Sequence, residues 1–313
     1  MAQFRVGCVP YVNARPLVAA FDQPNEFVEV IYDVPSKLPA MLDSGQVDAI
    51  LVSSIELLRR DDLVAVSEVG IMSYGPVQSV RMLSKVPLED IKTLALDQSS
   101  MTSNILAQVI LAESGVFPSL EPLAPNAPDM LANHDACVII GDRGFEADGT
   151  GLVDIDLGAA WTEMTGLPFV WALWLGKKEA NIDPRRLWFI LYSAYGASGF
   201  DSLHSMLDRK RKSVEPSIDI KPDAEEKRQQ WSDEQASRRR YVIESTLSRC
   251  DWPADKIESY LTDGVRYRAN QSQKALDTFR AYIAKHNLCE LSPTEEGYSE
   301  IREEIFKLIP DGR

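Results

Sequence analysis

The residues of this chain that can do chemistry fall in five short loops, and they are amides and hydroxyls more than acids and bases. The first loop is Val9-Pro-Tyr-Val-Asn-Ala-Arg-Pro-Leu17. Its two prolines restrict the backbone on either side of Asn13, so the amide is presented in few arrangements. The second, Ser53-Ser54-Ile-Glu56, runs from an apolar segment into a helical one. The third, Ser73-Tyr-Gly75-Pro76-Val-Gln-Ser79, is a Gly-Pro turn that enters a strand. The fourth is Asp97-Gln-Ser-Ser100-Met-Thr102-Ser103, between a strand and a helix, and the fifth is Gly141-Asp142-Arg143. Hydroxyls beside the free N–H groups of a helix start make an anion site, and each charge-assisted hydrogen bond there is worth about 1.5–3 kcal/mol. A plain N-cap needs one hydroxyl, whereas the fourth loop offers Ser99, Ser100, Thr102 and Ser103. Such loops describe a cleft for a small anion with several oxygens, such as a dicarboxylate.

Other chemistries are poorly supplied. The histidines are His134, His204 and His286, and no HExxH, HxH or Cys/His cluster has metal-ligand spacing. There is no GxSxG, no GxxxxGK[ST] and no GxGxxG after a strand. These absences disfavour a histidine-based triad, a metalloenzyme and a P-loop enzyme. The four cysteines, Cys8, Cys137, Cys250 and Cys289, are scattered without a CxxC pair, as expected of a reduced cytoplasmic protein without structural zinc. The N-terminus lacks the pattern of a secretory signal, and the most apolar later stretch, Leu167–Gly176, is about half of what a bilayer requires. A net charge of −14 and a pI near 4.8 repel phosphate backbones, so neither nucleic acid nor a membrane is an expected partner.

Positioning five loops requires a scaffold. With 313 residues, two domains are expected. Apolar runs rich in Val, Ile and Leu occur at 4–9, 28–34, 49–52, 77–83, 93–96 and 137–140 and suit buried strands of a largely parallel sheet. Helical segments lie between them, one capped by Ser36 and running to Asp43, another from Thr102 to Glu113. The alternation implies an α/β fold. Two segments echo one another: Gly45-Gln-Val-Asp-Ala-Ile-Leu-Val-Ser-Ser54 and Ala132-Asn-His-Asp-Ala-Cys-Val-Ile-Ile-Gly141. The echo suggests two similar lobes. After residue 180 helices dominate, beginning with an Asp183 cap and Pro184 and including amphipathic helices over 255–267 and 274–286. The polar stretch 209–240 interleaves acids with Arg209-Lys-Arg-Lys212 and Arg238-Arg-Arg240, which reads as a solvated face.

An ordered set of motifs ties these residues to a known family. They are Arg5–Leu17, Leu51-Val-Ser-Ser-Ile-Glu56, Gly75-Pro-Val-Gln-Ser79, Ser100-Met-Thr-Ser103, Ile140-Gly-Asp142 and Trp161-Thr-Glu-Met-Thr-Gly-Leu-Pro-Phe169. On these motifs the chain resembles the chorismate dehydratases over residues 5 to about 195, and more loosely over Ile257–Ile283. The resemblance implies a fold like type II periplasmic binding proteins, with a ligand cleft between two α/β lobes and extra C-terminal helices. Lobe 1 would be discontinuous, 1–83 with 176–313, carrying a polar surface insertion at about 205–240. Lobe 2 would be 84–175, and Phe169–Leu175 would return the chain across the hinge.

The resemblance further implies elimination of water from chorismate to give 3-[(1-carboxyvinyl)oxy]benzoate, which opens the futalosine route to menaquinone. No cofactor is required. It places Asn13 and Ser79 at the reacting centre. Ser100, Thr102 and Ser103 would hold one carboxylate and Ser53 or Ser54 the other, with Gly75, Pro76, Gly141 and Asp142 completing the substrate site. The proton acceptor would be the substrate's own enolpyruvyl carboxylate or Glu56. Position 101 departs from the family, which commonly carries Arg where this chain has Met101. Two alternatives stand beside this reading. One is a dihydroxynaphthoate synthase, a family that opens with a Ser-Pro-Cys-Pro-Asn-Asp type of loop and uses a histidine base. The other is a non-catalytic cytoplasmic anion-binding protein. Monomer and homodimer both fit the sequence.

Overall fold

The Val/Ile/Leu-rich runs do become strands, divided between two sheets of five. The structure, a computed structural model, describes residues 3–200, 224–268 and 272–293. The strands are β1 Phe4–Cys8, β2 Val28–Tyr32, β3 Ala49–Ser53, β4 Leu63–Ser73, β5 Val80–Ser84, β6 Thr93–Asp97, β7 Ser119–Leu123, β8 Ala136–Ile140, β9 Val153–Asp156 and β10 Phe169–Lys177. The helices are α1 Arg15–Val18, α2 Leu38–Asp43, α3 Ile55–Arg59, α4 Thr102–Glu113, α5 Ala127–Asn133, α6 Gly141–Glu146, α7 Leu157–Thr165, α8 Pro184–Gly196, α9 Ala224–Leu247, α10 Ala254–Ser259 and α11 Ser272–His286.

The strand orders are β2-β1-β3-β10-β4 and β7-β6-β8-β5-β9. In each sheet three neighbouring strands pair in parallel and the other two pairings are antiparallel, because one strand, β10 or β5, runs against the other four; the sheets are mixed where a largely parallel one was expected. The echoed segments supply β3 and β8, which hold equivalent central places. Their aspartates explain the repeat. Asp48 accepts the Arg5 N–H at 2.8 Å, at the start of β1. Asp135 accepts the N–H groups of Lys92 and Thr93 and the Thr93 hydroxyl, each at 3.0 Å, at the start of β6. Each Asp thus pins the register of the neighbouring parallel strand.

Four strands lie outside the six runs, of which β10 alone is expected, as the segment Phe169–Leu175 that the resemblance implies. Ser67 and Glu68 interrupt the apolar pattern of β4, and Glu68 pairs with Arg268 at 2.9 Å. The edge strands β7 and β9 are mostly exposed and carry Pro122 or aspartates, so they lack a buried-strand signature. Helix α2 begins after Lys37 with Pro39 in its first turn, and no side chain caps it, so Ser36 is not its cap. Asp183 does cap α8, accepting the N–H groups of Arg185 and Arg186. The amphipathic segment over 255–267 is helical only to Gly264, ending in a π-type turn, Tyr260–Gly264. Beyond it Arg266 forms an antiparallel bridge with Met72, which covers the free edge of β4.

The chain crosses between sheets at 74–79 and 157–168, ahead of the 83/84 and 175/176 boundaries expected for the lobes. The reason is pairing: β5 joins β8 and β9, while β10 joins β3 and β4. Of the polar stretch, 201–223 lie outside the described residues. In the second half of α9, Gln235, Val242, Ile243 and Thr246 are buried while Arg238 and Arg240 are exposed, as a solvated helix face requires. The four cysteines are free thiols. Among the described residues no helix is long and apolar enough to cross a membrane.

Candidate functional site

Loops from both sheets meet at a cavity of about 640 Å³, including the solvent space at its mouth. Asn13, Ser53, Ser79, Ser99, Ser100, Ser103 and Gly141 line it, with Tyr11, Trp171 and aliphatic side chains. The loops after β1, β3, β6 and β8 all contribute, because the carboxyl ends of the parallel strands face one gap. Trp171 and Ala172 both reach the cavity although neighbours on a strand alternate sides. The pairing of β10 with β4 shifts by one residue between Val170 and Ala172, and this irregularity re-aims Trp171. The Trp171 indole N–H donates to the Ser73 hydroxyl at 3.0 Å.

Asn13 stands in a short 3₁₀ turn, Val12–Ala14, held from three sides. The Asp142 carboxyl lies against the Val12 N–H. The Tyr267 hydroxyl donates to the Asn13 carbonyl at 3.0 Å. The Asn13 side chain lies beside the Tyr260 phenol, and its Oδ1 is buried without a partner. The Tyr260 hydroxyl donates to the Ser79 Oγ at 2.7 Å. Burial raises the Tyr260 phenol well above its usual range, and the neighbouring Ser79 and Asn13 side chains partly offset this. Burial also raises Asp142, to about 6.

The hydroxyls at the start of α4 divide into two groups. Thr102 does not line the cavity. Its Oγ1 accepts from the Ser53 hydroxyl at 2.8 Å and from the Ile55 N–H at 3.1 Å, so these two sequence-expected ligand groups fasten the two sheets to each other. Ser100 and Ser103 face the cavity, and the Ser100 Oγ accepts the Ser103 N–H at 3.3 Å. Ser99 bonds the fully buried Asp97, whose carboxyl is raised by burial and pulled back by Ser99 and the Ile140 N–H. The Arg59 guanidinium lies 3.7 Å from the Met101 sulfur, so a cation stands near the start of α4 although position 101 carries none.

Several expected site residues stand elsewhere. Glu56 is buried on α3 and does not line the cavity; burial raises its carboxyl while Arg59 and Arg60 lower it. Ser54 is fully buried and donates to the Val170 carbonyl at 2.6 Å, a fastening between the α3 start and β10. Gly75 and Pro76 belong to the crossing segment and are not in the lining; the Gly75 N–H donates to Thr162 at 2.9 Å. The next residues of that segment, Val77 and Gln78, donate their N–H groups to Asp156, which also caps α7. Asp142 supports the Asn13 turn from behind. Tyr11, Trp171 and Tyr260 escaped sequence reasoning. Tyr11 lies in the first loop beside Asn13 and Trp171 in an apolar run that reads as pure core, while nothing local distinguishes Tyr260. Among the described residues no group of three or more His, Cys, Asp or Glu is placed to hold a metal.

A family model described as menaquinone biosynthesis matches residues 4–285. A chorismate dehydratase of Thermus thermophilus is 30% identical over 205 residues, covering 60% of this chain and 74% of that protein. A chorismate dehydratase of Campylobacter jejuni is 33% identical over 176 residues, covering 53% and 64%. Among solved structures, the periplasmic aliphatic sulphonate binding protein SsuA of Escherichia coli superposes with a TM-score of 0.55 at 15% identity, over 96% of this chain and 92% of that one. At that identity the likeness concerns the fold, which is of the periplasmic-binding-protein kind.

Proposed function

This chain belongs to the menaquinone-biosynthesis family, and from that premise we propose that it is a chorismate dehydratase, eliminating water from chorismate to give 3-[(1-carboxyvinyl)oxy]benzoate. The observation that carries the reading is the cavity between the sheets, where Asn13 and Ser79 stand opposite hydroxyls at the start of a twelve-residue helix. The two sheets act as two lobes around a doubly negative ligand. Ser100 and Ser103 hold one carboxylate at the α4 N-terminus, where helix N–H groups favour negative charge. Ser53 contributes from the other lobe.

The ring hydrogen on the carbon bearing the enol ether is vinylogously acidified by the ring carboxylate. Its removal forms a ring π-bond as the neighbouring C–O bond breaks and the hydroxyl leaves, taking a proton to become water; the ring becomes aromatic. The protein's task is therefore positioning more than acid–base strength. Asn13 is a neutral amide and a poor base, so it orients the departing hydroxyl. With Glu56 outside the cavity lining, the proton acceptor is the substrate's enolpyruvyl carboxylate. Among the described residues no histidine lines the cavity, which leaves the dihydroxynaphthoate synthase reading without its base. We further assign the reaction to the futalosine route in the cytoplasm, in keeping with four free thiols.

The test is direct. Purified protein is mixed with chorismate in the presence of a chelator. Loss of the diene absorbance and appearance of the aromatic enol ether by mass spectrometry are expected. An unchanged diene, or a different product, would sink the reading.

A further inference from the structure

We infer that Tyr260 is a positioning residue that sets the hydrogen-bonding direction of Ser79; the inference rests on the function proposed above. Tyr260 is fully buried and does not line the cavity, so it stands behind Ser79, which does. The phenol donates a hydrogen bond to the Ser79 Oγ, 2.7 Å away. With that oxygen already accepting, the Ser79 proton is left to point at the cavity. The phenol thus presents a donor from Ser79 to the substrate.

The C-terminal segment is built to deliver this group. The π-type turn Tyr260–Gly264 brings its backbone against the crossing segment, and π-turns recur at functional positions. A methyl at Gly264 would come within 2.9 Å of the Val77 carbonyl and 3.2 Å of the Tyr260 ring. The ring is gripped by Phe145 at 4.9 Å and Trp252 at 5.7 Å between centroids. Tyr260 therefore touches the Asn13 loop of one sheet, the α6 helix of the other and the crossing between them.

The test compares wild type, Tyr260→Phe, Ser79→Ala and the double variant. Phenylalanine keeps the ring, so Tm is expected to change little. Tyr260→Phe should lower kcat on chorismate about 10- to 50-fold with KM within about threefold, and in the Ser79→Ala background it should cost less than about twofold. Wild-type kcat in Tyr260→Phe, or equal losses in both backgrounds, would overturn the inference. A ligand-free measurement separates it from the proposed function. With ring-labelled tyrosine, the Tyr260 Cζ resonance should shift on Ser79→Ala. An unmoved resonance overturns the inference even where Tyr260→Phe does not fold, whereas a shift in an enzyme inert to chorismate would overturn the function alone.

Discussion

The two sheets share one plan and use it for different ends. Three parallel strands, β2-β1-β3 and β7-β6-β8, are each extended by one antiparallel strand and a last strand that runs with the three, and an Asp before the central strand pins the neighbour in both. The lobes diverge at the loops leaving β1 and β6. After β1 comes a 3₁₀ turn and a four-residue helix opened by Pro16, too short for a dipole site. That loop instead fixes one amide, with tyrosines on its carbonyl and side chain. After β6 comes α4, twelve residues long, with Ser100 and Ser103 on the cavity. On the function proposed above, the equivalent loops divide the labour, one lobe supplying a rigid chemical group and the other a grip for charge.

That division can be broken experimentally. The largest effect is expected for Asn13→Leu, which should lower kcat at least about 100-fold, the scale of losing a group acting in the transition state, with Tm nearly unchanged. Ser100→Ala and Ser103→Ala should act on the grip, raising KM about tenfold each while kcat stays within about threefold. If the two sides traded signatures, the division would fall. Glu56→Gln should lose less than about tenfold, below the usual contribution of a general base. A larger loss would restore Glu56 as the proton acceptor.

Three further variants probe the scaffold through melting temperature. Asp135→Ala removes the acceptor of three hydrogen bonds and should lower Tm more than Asp48→Ala does. Backbone and Thr93 hydrogen bonds to Asp135 hold its carboxyl below the ordinary 3.8. Its stabilisation is thus complete above that value and is lost as pH falls through the lower folded value, so the Tm gap should close only below about pH 4. Asp142 has the opposite sign. Its folded value near 6 lies above the ordinary 3.8, so keeping it charged opposes folding at neutral pH. Asp142→Asn should therefore melt higher than wild type at pH 7.5, and the advantage should shrink as pH falls through about 6. A constant gap across that range would mean that Asp142 is not the group responsible.

Much of this was legible in the residues. The Asp-Ala echo disclosed a repeated lobe because a parallel sheet needs its central strand buried and its neighbour registered. Asn13 between two prolines marked a loop held in place, and the crowd of hydroxyls at 99–103 exceeded what a cap needs. The same hydroxyls misled in part. Ser54 and Thr102 are of the right type, yet their hydrogen bonds join helix starts and sheets to one another, while Ser53 both bonds Thr102 and lines the cavity. Glu56 comes two residues after Ser54, and that short helical step carries it out of the cavity lining.

Sequence alone determined the strand runs, the α/β class, the family and the loops from which ligand groups come, because periodicity, prolines and motif order are local properties. Tertiary structure decided which hydroxyls face the gap, and it brought Tyr260 to within hydrogen-bonding distance of Ser79, 181 positions earlier. No local pattern encodes that contact. A buried phenol must find partners wherever packing places it, and here packing placed it behind a serine that lines the cavity.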